Sequence, residues 1–216
     1  AQPALALPVW REATRVAAEQ PRAWDGLARA AKTARASDEA LAARRRATEL
    51  DDTPPAWVLL GMEELRLGDL GQARAAFSAA LARDPDCMTA RWGLFQYPRE
   101  VVHRDAAAMA QFRAEWLEGL SWFEAAPIEA TAAEQLVGCI TMSTEFYLHY
   151  LGEPLLAEQR RYGALLERMM AVVVRDRAVP PRRPRTDARR RIGFCSAFLR
   201  THTVTKLFAS LPLALD

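Results

Sequence analysis

Cysteine is scarce and unpatterned in this chain of 216 residues: Cys87, Cys139 and Cys195 are odd in number, widely spaced and form no C-x-x-C pair. A disulfide framework and a thiolate metal site are therefore both unsupported, and the usage points to a reducing compartment, read here as cytoplasmic. Long apolar runs are missing as well. No stretch approaches the roughly 20 apolar residues of a membrane span, and the opening AQPALALP has neither the basic head nor the apolar run of a signal peptide. An excess of one charge is also lacking: Lys+Arg 29 stand against Asp+Glu 27, a formal net charge of +2. That balance does not make nucleic acid or an acidic membrane the default partner. There is no initiating Met, so the natural N-terminus is expected upstream. What is present is a half-hydrophobic composition, 50%, with 26% charged residues, which suits one or two packed, water-soluble domains.

The chain then repeats itself. From Trp57 it reads W-x2-L-G, with Leu60 and Gly61, followed by Ala73, Phe77, Ala80 and Pro85. This order predicts two antiparallel helices: Gly61, Ala73 and Ala80 let the backbones approach, Trp57, Leu60 and Phe77 fill the space between them, and Gly68 and Asp69 make the turn. It resembles the tetratricopeptide repeat, or TPR, apart from Glu64, which stands where that pattern has an aromatic. About one repeat earlier, Trp24, Leu27, Ala28, Ala40 and Ala47 hold the same phase, with Arg44 at the place of Phe77. Trp10, Ala13 and Pro21 have the spacing of a closing helix and its terminal proline, as though a further repeat preceded them.

After Pro85 the phase fails. Trp92, Leu94 and Phe95 open another first helix that Pro98 should stop. Asp105 is a candidate N-cap for a helix whose apolar stripe is Met109, Phe112, Trp116, Leu120 and Phe123. Ala130 to Tyr150 is apolar on nearly every side and predicts one buried helix, ended by Gly152 and Pro154. A further helix is expected from Leu155 through Tyr162, Leu165, Leu166 and Met169 to about Val174.

From Val179 to Arg191 the character changes. Pro180, Pro181 and Pro184 forbid a helix, and Arg182, Arg183, Arg185, Arg189, Arg190 and Arg191 keep the segment solvated, so it reads as an extended linker. Beyond it, Ile192 to Ala197 looks like a short buried strand, and Val204 to Leu215 like a helix capped by Thr201 or Thr203. His202 lies just ahead of that helix, where backbone N–H groups favour phosphate.

The TPR pattern, the FYLHYLG run at Phe146 to Gly152, the YGALLERMM helix and R-I-G-F-x-S-x-F-x-R-x-H at Arg191 to His202 together resemble the bacterial O-linked GlcNAc transferase, SPINDLY-like family, glycosyltransferase family 41. The resemblance implies a TPR α-solenoid, a helical linker region and the first strand and helix of a Rossmann-like, GT-B lobe. Residues 1–97 would be repeats, with a partial repeat over 1–20, repeats over about 21–53 and 54–87 and the start of a helix over 88–97. Residues 98–178 would be a helical linker domain, 179–191 a Pro/Arg-rich linker and 192–216 the opening of the catalytic lobe. His202 would be the active-site histidine, and UDP-GlcNAc the donor substrate of the complete enzyme, with no separate cofactor. The family needs two full lobes, so the chain alone is expected to be inactive. Animal members line the superhelix with asparagines; Gly26 and Leu59 stand at those positions here, so an asparagine ladder is not expected to clamp the acceptor.

Three functions follow as expectations. The chain is the acceptor-selecting part of a protein glycosyltransferase; or it is a non-catalytic TPR adaptor; or its Arg-rich linker binds nucleic acid, with affinity falling steeply with salt. For the first two, TPR analogy places Asp25, Arg29 and Lys32 of one repeat and Val58, Met62 and Arg66 of the next in the groove, facing a protein or peptide with acidic and apolar groups.

Overall fold

A computed structural model describes residues 3–96, 102–142, 145–175, 196, 201–208 and 210. The chain divides into two units, residues 1–177 and 178–216.

The first unit begins with six helices: α1 (Pro3–Val16), α2 (Pro21–Thr33), α3 (Ser37–Leu50), α4 (Pro54–Leu67), α5 (Leu70–Arg83) and α6 (Met88–Phe95). Proline opens α2 and α4, at the helical position that needs no backbone donor. Pro21 is thus the first residue of α2, not the terminal proline of the helix before it. In each first helix a tryptophan ties back to the preceding loop: Trp24 Nε1 donates to Ala18 O at 2.7 Å, and Trp57 Nε1 to Asp52 Oδ1 at 2.7 Å. The expected turn is present. Gly68 is left-handed at φ 85°, and the Asp69 side chain accepts from Gln72 N at 3.0 Å to cap α5.

Helices α2 and α3 form one hairpin and α4 and α5 the next, stacked through α3 against α4 and α5 against α6. Small residues set the spacing: Ala40, Ala73 and Ala80 are fully enclosed, and the Phe77 ring lies directly against Gly61 and Gly93. Trp10 of α1 presses on Gly26 of α2 in the same manner. Where the repeat order leaves polar residues inside, they are paired. Arg44, at the place of Phe77, is bonded to Asp25, and Glu64, at the place of an aromatic, accepts from Arg45 Nη2 at 2.7 Å. The missing knob at Glu64 is thus replaced by a partly buried ion pair.

Helix α6 belongs to two cores. Ala90, with Cys87 just before the helix, packs with Val58 and Phe77 of the repeats, whereas Met88, Trp92 and Phe95 enter an aromatic core built with α7 (Ala106–Ala125), α8 (Ala133–Met142) and α9 (Leu156–Val173). Trp92 meets Phe123 edge-on at 5.0 Å and Phe95 at 5.4 Å between ring centroids, an arrangement worth about 0.5–1.5 kcal/mol per pair beyond the area buried. The α7 stripe of Phe112, Trp116, Leu120 and Phe123 is buried as its spacing predicts, and Asp105 caps the helix by accepting from Ala108 N. Tyr162, Leu165 and Met169 of α9 face the same core.

The single buried helix expected over Ala130 to Tyr150 is not what forms. A 3₁₀ turn over Ile128–Ala130 precedes α8, and another over Glu145–Leu151 follows it. Only one face of α8 is covered, with Leu136 and Cys139 enclosed and Val137 41% exposed. An apolar composition does not oblige a short helix to bury every side when its neighbours cover one.

The second unit is described at Ser196, which has no regular structure, and around α10 (Thr203–Phe208). The helix expected over Val204 to Leu215 is present from Thr203 to Phe208, and residue 210 is also helical. The strand expected over Ile192 to Ala197 and the Val179 to Arg191 linker lie outside the described residues, Ser196 excepted, as does Pro98. Among the described residues the chain is mainly helical and contains no strand.

Candidate functional site

The first helices of the two hairpins carry the residues that TPR analogy assigns to a partner. Lys32 of α2 and Arg66 of α4 converge on Glu63: Lys32 Nζ is 3.4 Å from Oε2, and Arg66 Nη2 is 2.5 Å from Oε1. Glu63 is 5% exposed and lies beneath the two cations. Burial pushes its carboxyl upward, but the hydrogen bond from Arg66 and the charges of Lys32 and Arg66 outweigh it and hold the group below its ordinary value. Lys32 and Arg29 keep 52% and 69% of their side chains exposed, so their donors remain open to a partner's carboxylates.

The six expected residues do not form one surface. Arg29 pairs with Asp25 at 3.1 Å, and Asp25 also binds Arg44 behind it. Asp25 lines a separate cleft of about 240 Å³ with Arg44, Pro55 and Leu59. Met62 is half-buried on the core of the second hairpin. Val58 is 6% exposed and packs into that core with Phe77 and Ala73, so its side chain is a packing group and does not line the groove. Arg29, Lys32 and Arg66 therefore supply the accessible chemistry. Glu63, the anchor beneath Lys32 and Arg66, was absent from the sequence-based set because repeat spacing ranks positions and says nothing of the cross-helix reach of Lys32.

In the second unit, His202 immediately precedes α10, and its Nδ1 accepts from Val204 N at 3.2 Å. In the neutral ring this leaves the proton on Nε2, as a donor. Among the described residues no group of three or more His, Cys, Asp or Glu side chains is placed to hold a metal ion. Nor is any helix among the described residues long and apolar enough to cross a membrane.

Stacked antiparallel hairpins, separated by glycine and alanine and carrying exposed basic side chains on their first helices, define a helical-repeat protein. Residues 54–97, spanning α4 to α6, match the tetratricopeptide repeat family model, so the chain contains a TPR. That repeat supports a role in protein–protein interaction. No curated protein matches the chain.

Proposed function

We propose that the groove of the two hairpins captures an acidic, apolar-bearing segment of a protein, and that it does so as the acceptor-selecting part of a protein O-GlcNAc transferase-like glycosyltransferase. The observation that carries the capture is the convergence of Lys32 and Arg66 over Glu63, with Arg29 exposed nearby. The transferase reading rests on the R-I-G-F-x-S-x-F-x-R-x-H sequence at Arg191 to His202. In this reading residues 1–97 select the acceptor, 98–178 connect and 192 onward begin the catalytic lobe.

In the reaction, a Ser or Thr hydroxyl oxygen bonds to the anomeric carbon of UDP-GlcNAc. The bond from that carbon to the β-phosphate oxygen breaks, its electron pair leaves with UDP, and the hydroxyl proton passes to water or to the departing phosphate. His202, with a proton on Nε2, suits hydrogen bonding to a phosphate oxygen of the departing UDP. The second reading is a non-catalytic adaptor, favoured by the TPR match over residues 54–97.

Radiolabelled UDP-GlcNAc supplied to the full-length protein with a captured acceptor separates the two. Label on the acceptor that is lost on His202→Ala supports the transferase. Capture that persists with no label in any condition selects the adaptor, and transfer undiminished by His202→Ala removes that residue from the chemistry.

A further inference from the structure

A second concavity lies between the second helices of the two hairpins, away from the groove residues. Its origin is the substitution of Glu64 for the aromatic of the repeat pattern. A carboxylate fills less space than a ring, and the facing stretch of α5 offers Gln72 and the small side chains of Ala75, Ala76 and Ala79. The result is a cleft of about 460 Å³ floored by Trp57, Leu60 and Glu64. Small-molecule sites span roughly 300–1,000 Å³ and combine apolar walls with a few fixed polar groups.

The carboxylates of this cleft are Glu49, Asp52 and Glu64, paired in turn with Arg46, Arg83 and Arg45, and of these arginines Arg45 lines the cleft itself. Glu64 is 2% exposed, whereas the Arg45 side chain that donates to it from the rim is 50% exposed. A buried acceptor is thus served by a donor that can swing into water at small cost. Trp57 already holds a guanidinium, with Arg83 Cζ 4.6 Å from its ring centroid, and Asp52 draws both Arg83 and the indole N–H.

We propose that this cleft binds a small planar organic cation, an aryl amidinium or guanidinium, whose charged end takes the place of Arg45 on Glu64. Its ring occupies the space of the absent aromatic, against Leu60 and the α5 alanines. The inference does not depend on the groove or on glycosyl transfer, because none of Arg29, Lys32, Arg66 and His202 takes part.

Benzamidine, benzamide and benzoate share one shape and differ in charge, so they are the probes for calorimetric titration of the whole chain. Benzamidine is expected to bind and benzoate is not. Arg45→Ala frees the acceptor and should tighten benzamidine several-fold, and Glu64→Gln should weaken it by about tenfold, the usual effect of losing a charge-assisted hydrogen bond. Glu64→Tyr restores the repeat's ring, should raise the melting temperature and should abolish binding by filling the cleft; it keeps the test decisive if Arg45→Ala does not fold. Benzoate binding as well as benzamidine, weakening on Arg45→Ala, or binding unchanged in Glu64→Tyr would each overturn the proposal.

Discussion

The Phe77 ring of α5 sits so close to Gly93 of α6 that a Cβ there would fall 2.7 Å from its Cζ. The same ring closes on Gly61 of α4, where a Cβ would be 2.8 Å from Cε1. One aromatic thereby joins a hairpin to the helix after it, and two glycines make room for it.

Gly61→Ala and Gly93→Ala should each destabilise the chain by about 1–3 kcal/mol, the usual cost of overpacking. Phe77→Leu added to either should recover part of the loss, because the ring is the obstacle. Urea denaturation of the single and double variants checks this, and strict additivity would contradict it.

Arg44 takes the place of Phe77 in the preceding repeat and is 8% exposed, with Asp25 as its partner. Asp25 keeps a second partner in Arg29. The buried shaft of Arg44 is therefore expected to matter more than its charge. Arg44→Ala should cost about 2 kcal/mol and Arg44→Met about half of that or less, by thermal or urea denaturation. Equal losses would place the effect in the ion pair.

The hairpins were legible in the sequence because their register is written in side-chain volume: Gly61, Ala73, Phe77 and Ala80 cannot exchange places without clash or void. The α7 and α9 helices were legible instead from apolar residues recurring every three or four positions. The polar pairs were not, since Arg45 with Glu64 and Lys32 with Glu63 join different helices and depend on how far side chains reach across the stack. Hence Glu64 read only as a departure from the pattern's aromatic, and Val58 read as a groove residue although the hairpin core encloses it. The α8 region misled for another reason, because composition alone could not show which face its neighbours would cover.

Glu63 is held below its ordinary value of 4.5 by Arg66 and Lys32, against the upward push of burial. A carboxyl with a depressed folded-state value contributes stability that is present above its unfolded value and lost as pH falls through the folded one. The stability difference between the native chain and Glu63→Gln should therefore be constant near neutrality and shrink below about pH 4.5. Urea midpoints across pH 3 to 7 would show it, and a gap that widens on acidification would contradict it.

Burial, with Cys87 as a lesser cause, pushes the Cys139 thiol up to about 12, so almost no thiolate is available at pH 8. Iodoacetamide should leave Cys139 unmodified in the folded chain and alkylate it in urea, as followed by peptide mass spectrometry. Labelling at equal rates in both states would show that α8 does not enclose it.

The most direct test of the account is fluorescence anisotropy of a labelled peptide of alternating acidic and leucine residues titrated with the chain, native and Arg29→Ala/Arg66→Ala. The account predicts binding that weakens about five- to tenfold in the double variant, the loss of two partly exposed ion pairs, with the fold retained by circular dichroism. Equal affinity for the two chains, or equal binding of a peptide with lysine in place of every acidic residue, would contradict a cationic capture groove on the TPR hairpins.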